Sequence, residues 1–181
     1  MSSLGKRDLF GGAITAETAQ DLTDVSDIRQ VPDTQEVFVY PRSNASVIVE
    51  ILEKVEPTKH DEIARFHFDS LAHDNDSRSS TVTEVTVVPN DRGDSDRTPS
   101  AIVLKGQQLV PKFNKRTPDR VKILMAVFRV EDKNIDVVVT FNIPVEAVDG
   151  GALAAEDAAK VESDFGALVK SFRIVDFSLF A

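Results

Sequence analysis

Three consecutive stretches constrain this chain more than anything else in it: "AIVLKGQQLVPKF" (residues 101–113), "DRVKILMAVFRVED" (119–132) and "NIDVVVTFNIPV" (134–145). Each is rich in β-branched and aromatic residues, which fit a pleated and packed surface. "EDKN" (131–134) between the last two suits a tight hairpin, and hairpins join antiparallel neighbours. The strands are apolar on both faces, so helices must cover both sides of the sheet they form. The expected fold class is α+β, with a central twisted antiparallel β-sheet sandwiched between α-helices.

The remaining elements fit that plan. "LFGGAIT" (9–15) reads as a turn-flanked first strand, with Gly11 and Gly12 freeing the backbone. "EVFVYP" and "ASVIVEILEKV" read as two strands around a "PRSN" turn. In the second, Val47, Val49 and Ile51 alternate with Ile48, Glu50 and Leu52, which predicts a strand covered on both sides. "PTKHDEIARFHFDSLAHD" (57–74) reads as a helix, capped by Thr58, with Asp61 and Glu62 in its first turn and Ile63, Phe66 and Leu71 near one face. "STVTEVTVVP" alternates like another strand. Residues 153–172 return to helical spacing, with Leu153, Val161, Phe165, Leu168 and Phe172 forming one apolar stripe. The closing "RIVDFSLFA" is apolar enough to be packed down. Between strand and strand, residues 89–100 carry "NDRGDSDRTPS", polar throughout with glycine and proline, and are expected to form a mobile loop.

At 181 residues, the expectation is a single domain spanning 1–181. The chain has no cysteine, so disulfides, thiol chemistry and thiolate metal sites are excluded. No stretch reaches the roughly 20 apolar residues of a membrane span, and "MSSLGKRDLFGGAIT" lacks the apolar run of a signal peptide. A soluble intracellular protein, monomeric by default and without a membrane role, is the expectation. The net charge of -9 argues against nucleic acid as a partner and favours a basic protein surface.

Chemistry-bearing motifs are few. There is no phosphate-cradling G-x-x-x-x-G-K-[ST] loop and no G-x-S-x-G nucleophile elbow. His60, His67 and His73 all fall in or beside the first helix, without the i, i+4 spacing that grips zinc, and read as ordinary surface or boundary histidines. The remaining feature is "DVSDIRQVPDTQEVF" (24–38), which places Asp24, Asp27, Asp33 and Glu36 against the single base Arg29. Carboxylates can ligate hard cations or work in pairs in hydrolysis. Here EF-hand spacing is absent, and the same residues are good turn formers: Asp24 or Ser26 can cap a short turn, and Asp33 follows Pro32. No metal or cofactor is expected.

Taken in order, "LFGGAIT", "DVSDIRQVPDTQEVFV", "SVIVEILE", "ARFHFDSLA", "DVVVTFNIP" and "SFRIVDFSLFA" resemble the Ran guanine nucleotide release factor family, the Mog-type nuclear import proteins. The blocks span nearly the whole chain, and "VPDTQEVF" is the most specific of them. The resemblance implies a PsbP-like fold, binding to the small GTPase Ran, release of its guanine nucleotide and support of nuclear protein import. It implies a regulator in nucleus and cytoplasm, not an enzyme, with a further Ran-binding protein as a candidate third member. By motif position, the Ran-contacting role falls on Asp24, Asp27, Arg29, Asp33, Gln35 and Glu36. The sequence departs from the family just before "DVS": in place of a proline and the aromatic of "P-x-G-F" stands "AETAQDLTDVS", with Leu22 at the bulky position. Two other classes stay open on the residues alone: an adaptor that binds Ran or another basic protein without altering nucleotide affinity, and a hydrolase built on the carboxylates.

Overall fold

The computed structural model describes residues 3–112 and 116–181. In chain order the elements are β1 (Leu4–Leu9), β2 (Ile14–Ala19), β3 (Thr23–Asp24), β4 (Gln35–Val39), β5 (Ser46–Glu53), α1 (His60–Asp74), β6 (Ser79–Val88), β7 (Ala101–Val110), β8 (Asp119–Val130), β9 (Ile135–Glu146), α2 (Ala155–Ser171) and β10 (Arg173–Ile174). Seven strands form one antiparallel sheet in the order β3-β4-β5-β9-β8-β7-β6. Asn134 takes the left-handed conformation at φ 56° and closes the β8–β9 hairpin.

Strand β8 shows why both faces need cover. Leu124, Ala126, Phe128 and Val130 pack into one buried cluster with α2, while Val121, Ile123, Met125 and Val127 pack into a second with α1. On the α2 side Phe128 stacks on Phe172 at 4.0 Å, and Phe141 meets Phe165 edge-on at 5.2 Å. On the α1 side Phe68 lies against Gly106 of β7, where an added Cβ would sit 2.9 Å from its ring and 2.6 Å from the Thr81 carbonyl oxygen. The two-faced strands and their helical layers match the fold class expected from sequence.

Several local expectations change. "LFGGAIT" is not one strand: Phe10–Gly12 forms a 3₁₀ turn between β1 and β2. That hairpin, with β10 on its other side, makes a second, three-stranded sheet. It supplies Leu9, Ile14, Ala16 and Ala19 to the α2-side core, beside the buried Leu22. In β5 only Val47 and Val49 are fully buried; Ile48 and Ile51 are half-buried and Leu52 is exposed, because α1 packs over β6, β7 and β8 instead. Helix α1 is entered through Lys59 with no side-chain cap, so Thr58 does not cap it. Its buried residues are Ile63, Ala64, His67 and Phe68, with Phe66 exposed. Phe113, read as the end of a strand, lies outside the described residues.

His67 is not a surface histidine. Its Nε2 lies 2.9 Å from Asp136 Oδ2, and both side chains are buried. Arg129 donates to the same carboxylate through Nε at 2.8 Å and Nη2 at 3.0 Å, and to the Pro57 and Val55 carbonyl oxygens at 2.6 and 3.0 Å. This cluster ties the segment before α1 to the β8–β9 hairpin. The loop at 89–100 also carries side-chain ties: Arg92 donates to the Lys170 carbonyl at 3.0 Å and to that of Phe172, and Thr98 Oγ1 accepts from Ile174 N–H at 2.9 Å. Phe177, Leu179 and Phe180 pack partly buried against the α2-side core.

Candidate partner-binding site

The acidic segment runs along one end of the large sheet, where β3 is the edge strand. Thr23 pairs with Val39, and Asp24 with Phe38. Opposed residues in a ladder share a face, and neighbours along a strand alternate. Asp24, Glu36 and Phe38 therefore project to one side. Gln35, opposed to Glu50, projects to the other and donates to the Glu50 carboxylate at 3.0 Å.

After β3 the chain turns sharply, and Asp24 makes the turn possible. Its Oδ1 accepts from the Ser26 N–H at 2.9 Å and the Ser26 hydroxyl at 2.7 Å, satisfying a donor that a short turn leaves unpaired. Val25–Asp27 then form a 3₁₀ turn whose foot, Val25, is buried. The Val25 carbonyl accepts from both Ile28 N–H at 2.9 Å and Arg29 N–H at 3.0 Å. Ser26, Asp27, Ile28, Arg29 and Gln30 are all exposed on this pinned backbone. A second turn follows, with Gln35 N–H donating to the Pro32 carbonyl at 2.9 Å and Asp33 at the exposed tip.

Glu36 is held from the other sheet. Its Oε1 accepts from the Phe10 N–H at 2.8 Å. Phe10, Gly11 and Gly12 have φ of 50°, 69° and 94°, three successive residues in the left-handed region. Glycine enters that region without strain, so the doublet lets the β1–β2 turn fold where Phe10 can reach Glu36. Nearby, the Arg7 guanidinium lies 4.8 Å from the centre of the buried Phe38 ring.

Thus the structure gathers Asp24, Asp27, Arg29 and Glu36 at one edge, puts Asp33 on a neighbouring turn, and turns Gln35 to the opposite face. Asp24 and Glu36 each have an oxygen committed within the fold. Among the described residues, the side chains of Asp27, Arg29 and Asp33 have no hydrogen-bond or ion-pair partner. Sequence reasoning missed Phe10 as the donor that fixes Glu36; the "GG" doublet was the available signal.

This arrangement suits a macromolecular surface better than a small molecule. A groove of about 270 Å³ lies beyond the other end of β4, lined by Tyr40, Arg42, Asp157 and Lys160, and none of the six residues lines it. There the Tyr40 hydroxyl donates to Asp164 at 2.9 Å; burial, and then that carboxylate, push the phenol above its ordinary range. Among the described residues no group of three or more His, Asp or Glu is placed to hold a metal ion.

Fold and site can be set beside known proteins. The family model described as "Ran-interacting Mog1 protein" matches residues 7–144. A Ran guanine nucleotide release factor of Danio rerio is 33% identical, over 96% of this chain and 98% of its own. The nuclear import protein mog1 of Schizosaccharomyces pombe is 34% identical, over 76% of this chain and 75% of its own. The crystal structure of the Saccharomyces cerevisiae Ran-binding protein Mog1p superposes with a TM-score of 0.77 at 26% identity, covering 100% of both chains. The match takes in the β1–β2 turn, the acidic segment and the sheet beneath them, and on that ground the chain belongs to the Ran-interacting Mog1 protein family.

Proposed function

We propose that this chain binds the small GTPase Ran and promotes release of its guanine nucleotide, in support of nuclear protein import. The observation that carries the reading is the acidic segment: exposed carboxylates on a backbone pinned by its own turns, in a chain whose relatives are named release factors and nuclear import proteins. The carboxylates meet no balancing cation on the segment beyond Arg29.

A protein without a nucleotide site of its own can still empty another's. It need only bind the empty GTPase better than the loaded one. The effect is reciprocal: a factor that weakens nucleotide binding about a thousandfold is itself weakened about a thousandfold by nucleotide, a coupling of about 4 kcal/mol. Small GTPases hold their phosphates with Mg²⁺ and a lysine. A carboxylate competes for either. Asp27, with no partner in the fold, and Glu36, with its second oxygen uncommitted, are the first candidates for that role. Asp24 and Asp33 steer and hold the GTPase surface with Arg29 beside them, while Gln35, on the opposite face and bonded to Glu50, braces β4 against β5 beneath the segment. No bond is made or broken, so the chain acts as a regulator and not as an enzyme. The same reading has it work in nucleus and cytoplasm, as a monomer, with a second Ran-binding protein able to join.

The test is release of a fluorescent guanine nucleotide from Ran, with the chain and with a variant carrying Asp27→Ala and Glu36→Ala. Acceleration by the native chain and its loss in the variant support both function and site. Acceleration by both moves the site; binding without acceleration makes the chain an adaptor.

A further inference from the structure

We infer that Ile28 is the apolar anchor of the interface with Ran: it enters a pocket on the GTPase while the neighbouring carboxylates engage the basic groups around it. The inference rests on the Ran-binding reading above and adds to it the residue that holds the complex together.

Ile28 is 73% exposed, the most exposed large apolar side chain among the described residues. It stands inside the acidic segment, with Ser26, Asp27, Arg29 and Gln30 as its exposed neighbours. Of the other exposed apolar residues, Phe66 lies on α1 and Val148 after β9, while Val175 lies beside the β1–β2 turn, its N–H donating to the Ala13 carbonyl at 2.8 Å. An apolar centre inside a polar rim is the usual anatomy of a binding hot spot.

The backbone beneath Ile28 is fixed before any partner arrives. Its N–H donates to the Val25 carbonyl, Val25 is buried, and Asp24 caps the turn. A side chain presented from a rigid turn gives up little freedom on docking. The flanking carboxylates of Asp27 and Asp33, unpaired within the fold, specify what surrounds the pocket: lysines and arginines.

The two kinds of residue should leave different kinetic marks. Exposed charges act at a distance, so they govern the association rate and are screened by salt. A buried apolar anchor governs dissociation and is indifferent to salt. Binding of the full chain to nucleotide-depleted Ran is therefore followed in real time at low and high salt. Ile28→Ala is expected to dissociate about tenfold to thirtyfold faster, with unchanged association rate and salt dependence. Asp27→Asn should associate more slowly with a flatter salt dependence, Val148→Ala should match the native chain, and Ile28→Met should retain most of the affinity. Thermal unfolding of Ile28→Ala should stay close to that of the native chain, since the residue is 73% exposed. If the native chain binds and Ile28→Ala dissociates at the native rate, the anchor is refuted and the Ran reading stands. A native chain that fails to bind Ran refutes both.

Discussion

The Phe10 N–H donates to the Glu36 carboxylate at 2.8 Å, joining the turn of the small sheet to the acidic edge of the large one. The bond has two separable consequences. Glu36→Gln keeps an acceptor and should change stability by under about 1 kcal/mol, while Glu36→Ala orphans the N–H and should cost about 1–2 kcal/mol. Both remove the charge, so both should weaken Ran binding. Urea unfolding beside a binding titration separates the two effects.

Gly12 tests the same link without touching an acid. At φ 94° it lies where an L side chain is strained, so Gly12→Ala should cost about 1–2 kcal/mol. If the β1–β2 turn positions Glu36, this variant should also bind Ran more weakly with every charge intact. Native affinity in the destabilised variant would disconnect the turn from the site.

The Asp136 cluster sets a pH dependence. Burial alone would raise this carboxyl, but hydrogen bonds from His67, Arg129 and the Val55 N–H outweigh it and hold it at about 2, against an ordinary 3.8. Above about pH 4 the group is ionised in folded and unfolded chains, and the full contribution of about 2 kcal/mol is present. As pH falls from about 4 to 2 the unfolded chain takes up the proton first, and that stability is lost. Asp136→Asn should flatten this part of the stability profile. Asp136→Ala, which strands the buried Arg129 charge, should cost about 3–5 kcal/mol at neutral pH.

Two glycines should respond oppositely to the same change. Gly106→Ala drives a methyl to 2.6 Å from the Thr81 carbonyl oxygen and 2.9 Å from the Phe68 ring, and should destabilise by about 1–3 kcal/mol. Gly166, in α2, has nothing within 4 Å of an added Cβ. There Ala should stabilise by up to about 1 kcal/mol through helix propensity. Denaturant midpoints measured side by side check both.

The central strands were legible because β8 and β9 carry unbroken apolar runs, residues 123–128 and 137–139, a pattern few folds accommodate except a sheet covered on both faces. The small sheet was not, because "LFGGAIT" has strand-like residues on either side of a turn that becomes visible only once Leu9 pairs with Ile14. The spacing favours Phe66 for the buried face of α1 where the structure buries Phe68, two similar side chains with nothing local to rank them. His67 reads from sequence as a surface or boundary residue because its partner Asp136 is 69 positions away. At the site, the resemblance pointed to the acids. Their division into committed and open oxygens was hidden, since Glu36 is held from 26 positions upstream and Asp24 spends its oxygen on a local turn.

Release by differential binding is tested by the affinity of this chain for nucleotide-free and for nucleotide-loaded Ran. Both are measured by calorimetry on the same preparation. Binding to the empty GTPase should be tighter, by the same factor by which the chain lowers nucleotide affinity, with the difference diminished by Asp27→Ala and Glu36→Ala together. Equal affinity for the two forms would contradict it and leave the acidic segment as an adaptor surface.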